Sequence, residues 1–152
     1  MTIDRSIIRV KAMLIAPNVD HTAHAVSVNP PTAEHPEGYH RLIGGSVELG
    51  ETHRDAVVRE VDEELGARIE GLSYVGAVEN IFRIDGVLGH EIVFLYSGQL
   101  DPAPPAQDAF LTECDGSIVP VVWRSLTGQE ELPLFPAGAE AWLDTATQQT
   151  TD

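Results

Sequence analysis

The chain has 152 residues, 43% of them hydrophobic and 22% charged, the composition of a globular protein able to bury a core without disulfide or metal staples. Nine Lys plus Arg against 24 Asp plus Glu give a formal charge of −15, which opposes extended contact with duplex nucleic acid or an anionic membrane. The single cysteine, Cys114, excludes an intramolecular disulfide and a thiolate zinc cluster.

The first twenty residues are interrupted by Asp4, Arg5, Arg9 and Lys11 and lack the unbroken apolar core of a signal peptide. No segment approaches the roughly twenty apolar residues of a membrane span. The expectation is a cytoplasmic chain forming one domain over residues 1–152.

In chain order, "IIRVKAMLIA" (7–16) and "AHAVSVN" (23–29) read as strands, bounded by Pro17, Asn18, Pro30 and Pro31 and expected to pair with each other. A Pro-rich loop leads to "YHRLIGG" (39–45), a short strand ending in two glycines. Thr52 reads as an N-cap with Asp55 three residues on. The helix runs from about His53 to Leu65 and stops at Gly66, suited to a left-handed cap. Two long strand-like runs, 67–84 and 90–100, flank "DGVLG" as a hairpin loop. After the loop "DPAPPAQD" come a strand "SIVPVVW" (117–123) and a C-terminal helix "PAGAEAWLDTATQ" (136–148).

At about 100° per residue, Val57, Val58, Val61 and Leu65 share one face of the first helix and should pack on a sheet. Glu60, Glu63 and Glu64 lie on an adjoining face at i, i+3 and i+4, where like charges repel but can converge on one cation. The bland alternative is a solvated acidic face. The surroundings of the helix change the odds. Gly45, five residues, Glu51, seven residues, then Arg59-Glu60-Val61, one residue, Glu63-Glu64, one residue and Gly66 specify seven identities besides the aliphatic Val61, each at an average usage of roughly 5–7%.

That pattern resembles the Nudix box of the MutT-like hydrolases, departing only at Ala67, where a larger aliphatic residue is usual. The resemblance implies an α/β fold, a mixed β-sheet sandwiched between α-helices. It also implies a pyrophosphohydrolase that uses Mg²⁺, or Mn²⁺, and cleaves a nucleoside diphosphate linked to a moiety X by attack of metal-activated water. Hard divalent cations favour a few carboxylates over a closed cage, and charge neutralisation is what a phosphoryl centre needs.

Carried onto this sequence, the resemblance makes Glu60, Glu63 and Glu64 metal ligands, with the carbonyl of Gly44 a further one. Glu60 is also a candidate base, and Arg59 completes the catalytic set. Glu51 is expected to form a salt bridge with Arg59, so that Glu51, Gly45 and Gly66 support the site. Glu91, in "GHEIVFLY", is a candidate extra acid, although the start of a strand or an exposed face is the favoured reading. Arg41, just before the glycines, is a candidate phosphate contact or, equally, a surface arginine.

Tyr39, Phe82 and Tyr96 are candidates for base stacking or, more commonly, core. Glu79 and Glu113 are further candidate acidic contributors, with loop or solvated-face roles the favoured reading. "HEIVF" lacks the second histidine of a zinc-protease helix, and phosphate-loop and Rossmann glycine patterns are absent.

"HRLIGGSVELGET" with "VENIFRIDGVLGHEIVFLY" is similar to the bacterial branch called ADP-ribose pyrophosphatase-like. The proline that marks ADP-ribose hydrolases after the box is missing, as are the dinucleoside polyphosphate tyrosine and the extended NADH-hydrolase signature. The expected partner is a small-molecule nucleotide, with no duplex nucleic acid and no membrane. Homodimerisation is common in the family, and no interface can be read from periodicity. The alternative is a non-hydrolytic nucleotide-sensing module. A Nudix-fold isomerase of isoprenoid diphosphates ranks low, because Cys114 lies in the turn-like "TECDG".

Overall fold

The computed structural model describes residues 6–127 and 132–151, so Asp4 and Arg5 lie outside it. In chain order the elements are β1 (Arg9–Ile15), β2 (Ala23–Asn29), β3 (Tyr39–Ser46), α1 (His53–Leu65), β4 (Arg68–Ile84), β5 (Val87–Asp101), β6 (Ala109–Thr112), β7 (Ile118–Ser125) and β8 (Leu134–Phe135). A 3₁₀ turn (Ala139–Trp142) and α2 (Leu143–Thr151) follow. No helix among the described residues is long and apolar enough to cross a membrane.

The strands form one mixed sheet in the order β4-β5-β1-β3-β2-β7-β6, with β8 alongside β3. The β1–β5 and β3–β8 pairs are parallel and the others antiparallel. Alternation along β1 divides the core between the two faces. Ala12 and Leu14 join Ile43 and Tyr96 under Ala56, Val57 and Val61 of α1. Met13 and Ile15 join Leu42, Val93 and Leu95 against Ala139 and Ala146. Each fully buried Val or Leu contributes about 1.5–3 kcal/mol relative to exposure. The expected sandwich of a mixed sheet between helices is what the chain builds.

Four local expectations are corrected. The first two strands do not pair: β1 is central, with β3 and β5 on its two edges, and β2 lies beyond β3. Only an isolated bridge between Pro17 and His24 joins the two segments. The continuous burial of Lys11–Ile15 is the signature of a strand enclosed on both faces, which a neighbour-pairing rule overlooks. The hairpin loop is shorter than "DGVLG", because Ile84 pairs with Val87. Asp85 and Gly86 alone turn the chain, both at positive φ, as a two-residue hairpin loop of this kind requires.

On α1, Val58 is 45% exposed and its place in the core is taken by Ala56. The C-terminal helix divides into the 3₁₀ turn and α2. Two short strands, β6 and β8, were unanticipated, being too brief for periodicity to mark.

Candidate active site

The first helix begins and ends where its caps dictate. Thr52 has extended torsions and accepts a hydrogen bond from the Asp55 N–H at 3.1 Å, and Gly66 is left-handed with its N–H donating to the Asp62 carbonyl. Between these caps, Val57 and Val61 anchor the helix to the sheet, which fixes the direction of every other side chain on it.

Arg59 organises the acidic face. Its guanidinium donates to Glu51 through Nε at 2.8 Å and Nη2 at 2.9 Å, to Glu60 Oε1 at 3.0 Å and to Glu63 Oε2 at 3.2 Å. Nη2 also reaches the Ser46 carbonyl at 3.0 Å, tying the end of β3 to the helix. The fork-shaped donor matches a carboxylate in a way a lysine does not. The Arg59 hydrogen bonds hold Glu51 down to about 2, well below the usual carboxylate range.

Glycine is required beside this cluster. A Cβ on Gly45 would lie 2.5 Å from the carboxyl carbon of Glu60, so only a residue without a side chain lets that carboxylate pass. Gly44 has φ +148, and a Cβ there would run into the Ala12 carbonyl.

Glu64 departs from the expected picture. It points inward and is only 7% exposed, and its Oε1 is buried with no hydrogen-bond partner among the described residues. Burial pushes it up to about 8; the Arg41 charge and a backbone hydrogen bond at Gly44 oppose this, and Glu113 and Glu60 reinforce it. Burial likewise raises Glu60, against the pull of Arg59.

The three glutamates therefore do not converge on a single point. Glu60 and Glu63 turn to Arg59, the nearest cation, and Glu64 turns into the protein. Among the described residues no three His, Cys, Asp or Glu side chains gather closely enough to hold one metal ion. The donor chemistry nevertheless fits a hard divalent cation. An orphaned buried carboxylate oxygen is costly unless something positive meets it, and Glu60 stands on the preceding helical turn, one residue from Arg59.

Beside the helix opens a cavity of about 500 Å³, lined by Glu60, Glu63, Arg59, Gly44 and Gly45, a size suited to small ligands. Glu91 and Arg41 line it too. The favoured reading of Glu91 is corrected: it sits inside β5, its side chain 12% exposed, 3.8 Å from Lys11 Nζ. Glu113 also lines the cavity, whereas Glu79 is exposed and bonded to His90 at 3.2 Å. Tyr96 belongs to the core, but Tyr39 and Phe82 reach the cavity. Cys114 is exposed in the turn after β6 and lines the rim.

Sequence reasoning missed Arg9, Lys11, Ser46 and Phe135, all in the cavity wall. The signal for two of them was present: Arg9 and Lys11 alternate in an otherwise apolar strand, and Lys11 is the only lysine in the chain.

Comparison with known proteins bears on the family and the fold. The family model described as NUDIX domain matches residues 17–143. Among solved structures, the MutT NUDIX hydrolase from Burkholderia pseudomallei superposes with a TM-score of 0.63 at 21% identity, covering 94% of this chain and 98% of that one. The MutT protein from Methanosarcina mazei Go1 gives 0.60 at 20%, covering 93% and 94%. At these identities the likeness concerns the fold. Among curated proteins, the NAD-capped RNA hydrolase NudC of Klebsiella pneumoniae is 51% identical over 41 residues, 27% of this chain and 16% of that relative. The matched segment is thus a small part of either protein.

The chain belongs to the NUDIX domain family.

Proposed function

We propose that the protein is a metal-dependent pyrophosphohydrolase of a nucleoside diphosphate linked to a moiety X, or of a related nucleotide, cleaving the anhydride by attack of water on phosphorus. The observation that carries this reading is the buried, unpartnered Oε1 of Glu64 close to Glu60, Gly44 and the cavity. Glu60, Glu63 and Glu64, with the Gly44 carbonyl, would hold Mg²⁺ or Mn²⁺. A bound divalent cation supplies charge neutralisation at phosphorus and makes water more acidic.

The residues of the chain contribute the rest. Arg59 holds Glu60 and Glu63 at fixed distances, and its bonds to Glu51 and Ser46 tie the helix to the loop before it. Glu60 is positioned at the cavity wall to accept a proton. Tyr39, Phe82 and Phe135, whose rings contact one another at 4.9 and 5.6 Å, offer aromatic faces on which a base can stack.

Residues 1–152 then work as one domain in the cytoplasm on a small nucleotide, with the −15 charge disfavouring duplex nucleic acid and membranes. Homodimerisation, common in the family, is open to a sedimentation measurement. ADP-ribose and NAD-type dinucleotides belong on the substrate panel, the former from the branch resemblance and the latter from the NudC likeness.

The test is product release with and without Mg²⁺ or Mn²⁺ over ADP-ribose, nucleotide sugars, NADH, diadenosine polyphosphates, coenzyme A and nucleoside triphosphates. Metal-dependent cleavage of one member is expected. Tight binding of an intact nucleotide without turnover would instead identify a sensing module.

A further inference from the structure

The outer end of the β4–β5 hairpin runs on beyond its support in the sheet. The ladder between β5 and β1 begins with Glu91 opposite Arg9. Residues 81–90, in which Phe82 pairs with Gly89 and Ile84 with Val87, extend past that ladder as a two-stranded ribbon. Such a ribbon is marginally stable by itself in water. It nevertheless lines the cavity through Phe82 and Ile84, together with Tyr39 of β3 and Phe135 of β8. Phe82 meets Phe135 edge-on at 5.6 Å, and Phe135 meets Tyr39 at 4.9 Å. Since β4 is not a neighbour of β3 or β8 in the sheet, strand pairing does not set the spacing of these rings.

A clasp at the tip of the ribbon does. The loop 30–38 between β2 and β3 carries Glu34, whose carboxylate accepts the Asp85 N–H at Oε1, 2.7 Å, and the Gly86 N–H at Oε2, 2.9 Å. Asp85 Oδ1 accepts the Ala33 N–H in return, at 2.9 Å. Asp85 and Gly86 are the two turn residues outside the hairpin ladder, and bonds from their amides to an ionised carboxylate are stronger than neutral ones. The bond from Gly86 lowers the Glu34 carboxyl below its ordinary range, desolvation opposes this and the bond from Asp85 adds to it. The loop is folded on itself: Thr32 and His35 exchange backbone bonds at 3.0 and 3.2 Å, and the Gly38 N–H donates to the His35 carbonyl at 2.9 Å. The His35 ring lies 5.4 Å from that of Phe135 and 5.9 Å from that of Tyr39. One short loop thus grips the hairpin with Glu34 and the opposite aromatic wall with His35. Farther back along β4, Asn80 Oδ1 accepts the Ala137 N–H at a longer 3.3 Å.

We propose that Glu34 is a positioning residue of this cavity: by clasping Asp85 and Gly86 it holds Phe82 at a fixed spacing from Tyr39 and Phe135, and so makes that end of the cavity selective for ligands with a flat ring. Glu34 does not line the cavity and acts through Phe82, which does. An aromatic face assembled in advance spares a ligand the cost of ordering the ribbon when it binds. This inference rests on the reading in which a base stacks on these rings, and it adds the device that holds them in place.

The experiment is an NMR titration of the ¹⁵N-labelled chain in Mg²⁺ buffer with AMP and with ribose 5-phosphate, which lacks the base. Neither has an anhydride to cleave, so binding is read without turnover. Glu34→Ala, Glu34→Gln and Phe82→Ala are titrated alike, and amide hydrogen exchange at Asp85 and Gly86 is followed in the same samples. The wild type is expected to bind AMP about tenfold or more tighter than ribose 5-phosphate, the scale of one base stacked on an aromatic face. Glu34→Ala should speed exchange at both amides and cut the preference to about threefold or less, with ribose 5-phosphate affinity kept within about twofold. Glu34→Gln should fall between, and Phe82→Ala should lose the preference. A preference that survives in Glu34→Ala, or unchanged protection of the two amides there, overturns the clasp and leaves the aromatic face standing. An equal loss for both ligands in Glu34→Ala overturns the positioning role. Equal affinities in the wild type, or no binding of AMP, overturn the stacking reading and this inference with it.

Discussion

Arg59 and Glu51 are joined by two parallel N–H···O bonds, Nε to Oε2 at 2.8 Å and Nη2 to Oε1 at 2.9 Å, across the turn that leads into α1. The Glu48 N–H also donates to Glu51 Oε1, at 3.2 Å. Glu51 is thus the hinge pin between the glycine-containing end of β3 and the acidic helix.

Arg59→Lys keeps the charge and loses the fork. A melting temperature lower by a few degrees and a fall in kcat are expected, with native circular dichroism. Calorimetry and steady-state kinetics on the same sample check both. Because the Glu51 carboxyl is held down to about 2, its contribution is present above its ordinary value of 4.5 and disappears as the pH falls toward 2. Glu51→Gln should flatten that part of the acid-unfolding curve.

Glu64 has the opposite sign. With its carboxyl pushed up from 4.5 to about 8, the folded state holds the proton more tightly than the unfolded chain. The Glu64 contribution to stability without metal is therefore greatest below pH 4.5 and declines as the pH rises toward 8. Glu64→Gln should remove this decline and be the more stable protein at pH 8 in EDTA, by up to a few kcal/mol. The same substitution should lower metal-dependent turnover by more than about 100-fold. A thermal shift on adding Mg²⁺ or Mn²⁺ is expected for the wild type and should shrink in the variant. Unchanged turnover in Glu64→Gln would place the metal site elsewhere.

Gly45→Ala tests the close approach of Glu60. The added methyl would stand 2.5 Å from the Glu60 carboxyl carbon, so the side chain must swing away. A displacement of about 1 Å is enough to cost on the order of a hundredfold in rate. Pre-steady-state kinetics should locate the loss in kcat rather than in KM.

Lys11 can be watched directly, since it is the only lysine. In protein labelled with ¹⁵N-lysine, the side-chain signal should titrate near 8 rather than 10.5. Glu91→Gln should lower the midpoint further, because the Glu91 charge raises it. A midpoint near 10.5 in the folded protein would contradict the burial of the Lys11 amine.

Much of this site is written in contiguous residues. Thr52 and Gly66 cap a helix by bonds that reach no farther than the neighbouring turn, and Asp85-Gly86 turns a hairpin through its own torsions. The spacing from Gly45 to Gly66 likewise brought Glu51 and Arg59 together, since they lie either side of a single turn. These interactions are local, so sequence by itself determined them, along with the family and the residues of the acidic helix.

Tertiary structure decided the rest, for reasons of burial and register. Glu64 faces inward because the Val57 and Val61 side of α1 docks on the sheet and carries it along, a rotation that periodicity alone leaves uncertain by one position, as Val58 shows. The β1 strand chose β3 and β5 over its neighbour in sequence because the middle of the sheet buries its apolar run on both faces. That choice set Lys11 opposite Ser46 and Arg9 opposite Glu91, assembling from distant segments a cavity wall of mixed charge.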